Sequence, residues 1–590
     1  MPIGNRTAEF ERLLGQQPEA KAIGNMWERW DQARAKDMAL KHEVRSYVFA
    51  TDTTTTTNNQ NDWRHKTTTP KLCQIRDNLH ANYMANMFSS ADWLVWEPGN
   101  RDAASLKKRR AIEAYTRAKL EEMEFRTLMS RLVYDFIDYG NVFAGVEWVA
   151  QTNTEQDGTV STPYVGPRAY RISPEDIVMD PTAASFEQTP VIIRSLKSMG
   201  DFEKELIQTQ GGGYEPAKID ELREKRRAIK GMAGDKSFAR YRGIQIDGFG
   251  SITEYFTSGM IEILEFIGDY YDSDEGKLYE NHIITVADRC TVLRKVPNPT
   301  WGGRKLIVHA GWRLRPDNLW AMGPLDNLVG LQYRIDHLEN LKADAGDMSL
   351  FPPTIVKGWV EDFEWRPRER INVGDEGSVE TAYMPVQLAQ IDSMIAYYMN
   401  LMEEMAGAPR EAAGFRSPGE KTKYEVQSLE RAANRIFQAK TSYMEEVFVE
   451  RLVNLFVLVA RQMFRGKEVS RSKNQEFGTV EFLTVTRDDL LSKGLFRAVG
   501  ARHHAEFATK VQNLTQFANS PLGQDPGIRA HVSNKVLAKV MEHWLGLEHY
   551  GLVQDGIGLA EAAELQQLQQ SLTQPQQSDT IAPQEQGAVQ

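Results

Sequence analysis

The segment GWRLRPDNLWAMGPLDNLVGLQYRIDHLENLKADAGD (residues 311–347) changes character in its middle, and that change organises the reading of the whole chain. Its first residues complete the strand pattern KLIVHAGWR (305–313). After Gly323-Pro324 the spacing is helical: Leu328, Leu331, Ile335, Leu338 and Leu341 recur every three or four residues and make one apolar stripe. The pattern stops before Phe351-Pro352-Pro353, where proline ends helices.

Upstream, the region from about 160 to 315 is rich in strands. PYVGPRAYRI (163–172), EILEFIGDYYD (262–272), NHIITVAD (281–288) and CTVLRKV (290–296) alternate with Gly, Asp, Asn and Pro, as an antiparallel meander does. The charged tract 201–243 inside it has weak periodicity and is expected to be a peripheral helical excursion. Further upstream, Leu72, Ile75, Leu79, Tyr83 and Met87 trace one helix face, and Phe125, Leu128, Leu132, Val133 and Phe136 another. Strand-like ADWLVW (91–96) and NVFAGVEW (141–148) follow them. TDTTTTTNNQNDW (51–63) offers little apolar material, so 51–69 is expected to be a loop or mobile insertion.

Downstream, 349–384 is a turn-rich insertion containing IVKGWV. A second helix over about 386–405 sets Leu388, Ile391, Ile395, Tyr398, Met402 and Met405 on one face. AGAPREAAGFRSPGEKTK (406–423) has the composition of an exposed loop, and a third helix runs from about 422 to Gly466. Unbroken, it would reach on the order of 65 Å. A mostly helical region follows to about 560, then a Gln-rich tail expected to be disordered. No repeat of fixed period is seen.

The chain has 590 residues, enough for roughly four domain-sized units. With 41% hydrophobic and 26% charged residues it is ordinary globular material. Cys73 and Cys290 are its only cysteines, which excludes a disulfide framework and suits a reducing cytoplasm. Neither an export signal nor a membrane span is expected, since charges interrupt the most apolar stretch at Glu450 and Arg451. A net charge of −11 disfavours tight electrostatic wrapping of nucleic acid by the surface as a whole.

The order of these blocks is strand meander, residues 311–347, Pro-interrupted insertion, returning helix, Gly/Arg loop and very long helix. With DFIDYGNVFAGVEW and RISPEDIVMDPTA, it resembles the portal, or head-to-tail connector, family of tailed bacteriophages, podovirus types in particular. The resemblance covers roughly residues 70–555. It implies an α+β portal fold with a wing (1–323), a descending stem helix (324–348), a clip (349–384), a returning stem helix (385–405) and a channel-facing tunnel loop (406–423). A long wing helix (424–466), a crown (467–560) and the disordered tail (561–590) complete it.

The resemblance also implies a homo-oligomeric ring, typically a dodecamer, made in the host bacterial cytoplasm and set in the virion at one capsid vertex. Double-stranded DNA would pass through it non-specifically. Its protein partners would be the large terminase subunit, head-tail adaptor or tail proteins, and capsid and scaffolding proteins. No cofactor is implied.

Charges can be set against that channel. The first stem helix carries Asp326, Asp336, Glu339, Asp344 and Asp347 against Arg334 and Lys342, and the second carries Asp392, Glu403 and Glu404 with no base. In a ring, acids such as Asp336, Glu339, Asp344, Asp347, Glu403 and Glu404 would keep phosphates from sticking. The ordinary alternative is a solvated helix face. Arg410, Arg416, Lys421 and Lys423 outweigh Glu411 and Glu420 in the loop and would touch the DNA backbone transiently, without reading sequence. Their alternative role is to keep an exposed loop soluble.

Catalytic signatures are incomplete. No GxxxxGK[ST] phosphate loop or GxSxG elbow occurs, so packaging energy would come from the terminase. His42-Glu43 lacks the second histidine of a zinc-protease motif because residue 46 is Ser, and His503-His504 with Glu506 reads as a polar helix surface. Trp312, Trp320, Trp359 and Trp365 are expected as core or subunit-interface anchors. The expectation is therefore a non-enzymatic structural protein. Its alternatives are another virion component, from the tail or minor capsid, or a phage-encoded enzyme.

Overall fold

The computed structural model describes residues 6–15, 17–60, 64–88, 93–99, 103–154, 160–208, 213–232, 248–350, 354–360, 373–381, 388–406, 435–473 and 480–498. Two compact units are present: Met1–Glu468 with Val485–Arg502, and Val469–Thr484 with His503–Gln590. The first is a mixed helix-and-strand unit in which every strand pairing whose register is defined is antiparallel, as an α+β protein requires.

It opens with α1 (Arg6–Leu14) and α2 (Pro18–Val48), which starts on Pro18, where a missing N–H costs nothing. In α3 (Lys71–Met87) the predicted face is the buried one: Leu72, Ile75, Leu79, Tyr83 and Met87 all lie in the main core. Strand β1 (Leu94–Pro98) and helices α4 (Ala103–Glu122) and α5 (Phe125–Asp138) follow. Gly140 ends α5 at φ +67, and a Cβ there would lie 2.3 Å from the Gly323 nitrogen; only glycine meets both demands. β2 (Asn141–Thr154) then pairs with β3 (Val160–Ile172).

The Thr-rich segment is irregular, as expected, but it is not a loose insertion. Residues 53–55 and 57–60 form short 3-10 turns in which Thr53, Thr56 and Asn58 are buried. Asp52 caps the first turn by accepting from the Thr54 N–H, and Asn58 donates to the Tyr333 carbonyl. Hydroxyls and amides, not apolar groups, anchor it, which is why its composition looked like that of a free loop.

β4 (Ile177–Met179), β5 (Val191–Ser198), helices α6 (Met199–Gln208), α7 (Pro216–Met232) and α8 (Ile252–Ser258), then β6 (Met260–Asp272), β7 (Lys277–Ala287) and β8 (Thr291–Pro297) build a five-stranded meander. Alternation along β6 sends Leu264 and Phe266 to one face, against Ile23, Trp27 and Trp30 of α2, and Ile261 and Ile263 to the other. That second face is covered by Phe202, Ile219 and Leu222. The charged tract at 201–243 thus supplies a buried layer rather than a peripheral excursion, as far as its described residues go. Its apolar positions are few but aligned.

The three-residue β7–β8 connection, Asp288-Arg289-Cys290, places Asp288 and Arg289 at positive φ, an arrangement usually left to Asn or Gly. Both side chains are buried and held: Asp288 accepts from Arg226 and Tyr255, and Arg289 donates to both oxygens of Glu262.

β9 (Ile307–Gly311) joins the other edge of β2, followed by the hairpin β10 (Arg313–Arg315) and β11 (Asn318–Met322). Then come α9 (Val329–Leu350), the hairpin β12 (Thr354–Lys357) and β13 (Ser378–Thr381), and α10 (Leu388–Ala406). The long third helix is described as α11 (Arg435–Met444), a π turn (Glu445–Val449) and α12 (Glu450–Met463). β14 (Lys467–Lys473) and β15 (Val480–Thr486) pair, with Val469 and Phe482 of the second unit exposed on them. β16 (Gly494–Ala498) pairs with β1, so residues 485–502 belong to the first unit and the region expected as 467–560 is divided.

Candidate functional site

α9, the β12–β13 hairpin and α10 occupy the segments expected as stem, clip and stem. The root of α9 is fixed first. Gly323 donates to Asp326, whose other tie is the buried amine of Lys41 on α2; burial pulls the Lys41 pKa down despite that carboxylate. Leu328, Ile335 and Leu338 then enter the main core, and Ile395, Met402 and Ala406 of α10 join the same core. Lys342 reaches across to Asp392, tying the two helices. Leu341, the last member of the expected apolar stripe, is exposed instead.

The six acids expected to face a channel separate into different environments. Asp336 is fully buried and is not a surface charge: it accepts from the Thr69 N–H at 3.0 Å, the Thr68 hydroxyl at 2.9 Å and the Gln332 amide at 2.9 Å. Burial raises its pKa to about 6. Glu403 is ion-paired with the buried Lys71 amine, and its side chain is 12% exposed. Asp344 accepts the backbone N–H groups of Arg64 and His65, while Asp347 meets the His65 ring at 3.1 Å and Arg64 at 3.6 Å. Glu339 is half-buried and Glu404 exposed. Asp336 and Glu403 are spent on internal bonds, which corrects the expectation that they repel phosphate.

Seen together, the polar residues of α9 form a ladder. Gln332, Asp336, Asn340 and Asp344 are each four residues apart, so they line one side of the helix. An extended strap, residues 64–69, runs antiparallel along them. Its alternate N–H groups meet successive turns: Thr69 to Asp336 at 3.0 Å, Thr67 to Asn340 at 2.8 Å and His65 to Asp344 at 3.1 Å. Asn340 donates back to the Thr67 carbonyl at 2.8 Å, Gln332 donates to the Thr69 carbonyl at 2.6 Å, and Gln332 accepts from the Leu72 N–H at 3.2 Å. The side chains of α9 thus do for the strap what a neighbouring strand would do. A reading confined to apolar spacing misses this; the signal was a second, polar stripe at the same helical period.

Arg410, Arg416, Lys421 and Lys423 lie outside the described residues, as do Trp365 and His503-His504. Of the other tryptophans, Trp312 and Trp320 are core, Trp312 donating to the Tyr83 hydroxyl at 3.0 Å, and Trp359 is 70% exposed beside the hairpin. Ten of the large apolar side chains left exposed among the described residues fall between Tyr333 and Met405, among them Leu350, Ile355, Val356 and Tyr397.

A cavity of about 650 Å³ between β1, α4, the start of α5 and β16 is walled by Phe88, Trp93, Phe125 and Phe496, with Glu113 and Arg117 among its polar groups. Thr116, Glu121, Glu124, Arg126 and Thr127 complete its polar lining. Among the described residues no group of His, Cys, Asp and Glu could hold a metal ion, and no helix is long and apolar enough to cross a membrane. A scan of protein-family models gives no match to this chain, and a search of curated proteins gives no significant match.

Proposed function

We propose that this chain is the portal protein of a tailed bacteriophage. In this reading its copies form a ring at one capsid vertex that conducts double-stranded DNA during packaging and ejection, docks the large terminase subunit, and later receives adaptor and tail proteins. The chain itself performs no chemistry; the terminase supplies the energy. The observation that carries the reading is the α9, β12–β13, α10 module. Its root is locked into the core by Lys41, Asp326 and the strap, while ten large apolar side chains along it remain uncovered in a single copy. Apolar side chains left exposed along one module mark an interaction surface, and neighbouring copies in a ring would cover them.

The channel lining is narrower in this reading than six acids. Glu339 and Glu404 supply the repulsion, and Arg410, Arg416, Lys421 and Lys423 the transient phosphate contacts. Negative-stain electron microscopy of the purified chain tests the proposal. Rings of about twelve copies around a hole wide enough for a duplex support it, since the major groove alone is ~12 Å wide. A monodisperse monomer or dimer would overturn it.

A further inference from the structure

We infer that residues 64–69 are a strap in two parts: an inner half seated permanently on α9, and an outer half that is an ionic latch governing the far third of that helix. The inference does not depend on ring formation. Its basis is a gradient along the ladder. The inner rungs use Gln332, Asp336 and Asn340, all buried, and join amide, hydroxyl and carboxylate groups away from water. The outer rungs use Asp344 and Asp347, with Arg64 80% and His65 38% exposed.

The same gradient runs through α9. Val329, Gln332, Ile335, Asp336, Leu338 and Asn340 are its buried residues, and none of residues 341–350 is buried. This outer stretch has no apolar seat. Its polar ties run to the strap through Asp344 and Asp347, and to α10 through Lys342. Contacts between exposed charges weaken when salt screens them, whereas buried hydrogen bonds hardly respond. Raising the ionic strength should therefore unseat residues 64–65 while 67–69 stay in place, freeing residues 344–350 to move against α10.

Single-residue hydrogen exchange on the full chain at neutral pH tests this, comparing about 50 mM with about 500 mM sodium chloride. The amides of Arg64 and His65 should exchange about threefold faster at high salt, in step with α9 amides beyond Asp344, while Thr67, Thr69 and Leu72 keep their protection. In the double variant Asp344→Asn, Asp347→Asn, whose amides still accept hydrogen bonds, the salt response should vanish and the inner amides remain protected. Loss of protection along the whole strap at once, salt-insensitive outer amides, or a salt response that survives in the double variant would each overturn the inference.

Discussion

Replacing Asp336 by Asn measures what it costs to keep a carboxylate in the strap ladder. In the folded chain its pKa is raised to about 6 from the ordinary 3.8, so folding favours the protonated form. The sign follows: the folded state holds the proton where the unfolded state has lost it, so stability is greatest at low pH and falls as pH rises from 3.8 through 6. The full displacement corresponds to about 3 kcal/mol, of which about 2 kcal/mol accumulates between pH 4.5 and 7.5. Asparagine cannot charge and pays none of it.

The assay is thermal unfolding of both proteins across that pH range. The Tm of Asp336→Asn relative to wild type should rise by about 4 °C from pH 4.5 to 7.5, at roughly 2 °C per kcal/mol for a large domain. Asp135, also raised to about 6 by burial, is present in both proteins and drops out of the difference. A Tm difference independent of pH would show that the carboxylate carries no such cost and refute the reasoning.

Lys41→Met should destabilise the first unit by about 3–5 kcal/mol, because it strands the buried Asp326 carboxylate at the root of α9; denaturant unfolding would show a lower midpoint at neutral pH. Trp359→Ser should leave that midpoint within about 0.5 kcal/mol of wild type, the ring being exposed, while mass photometry finds weaker self-association; unchanged assembly would remove Trp359 from the interface. Exchanging Arg410, Arg416, Lys421 and Lys423 for alanine should alter DNA packaging or retention with ring assembly intact, and packaging at wild-type level would sink the tunnel-loop role.

Elements with a single apolar period were legible in the sequence. α3 is the clearest case: five residues at helical spacing are all buried, and no other force competes with that pattern. The strands of the meander were found for the same reason, since Leu264 and Phe266 alternate with Ile261 and Ile263 at the period of two.

Polar anchoring was not legible. Asn58, Asp336 and Asn340 are buried because each finds a hydrogen-bond partner far away in sequence, and composition alone cannot supply the partner. The acids of the candidate stem were misread for the same reason. Asp336 and Glu404 look alike in sequence, yet one faces Thr68 and Thr69 and the other water. The β1–β16 pairing, which returns the chain to the first unit after residue 485, joins segments about 400 residues apart and leaves no local trace.

The strap and α9 act as a vernier, two scales of slightly different pitch laid side by side. Four helical residues advance about 6.0 Å, and two extended residues about 6.6 Å, so each successive rung slips by roughly 0.6 Å. A slip of that size, accumulated over successive rungs, limits the ladder to a few of them. Both ends agree: the next position outward is Met348, with nothing to offer a backbone amide, and at the inner end Gln332 takes the N–H of Leu72, three residues beyond Thr69 instead of two. A longer strap would need a bend or a skipped residue, so the clasp could be tightened by changing its rungs more readily than by lengthening it.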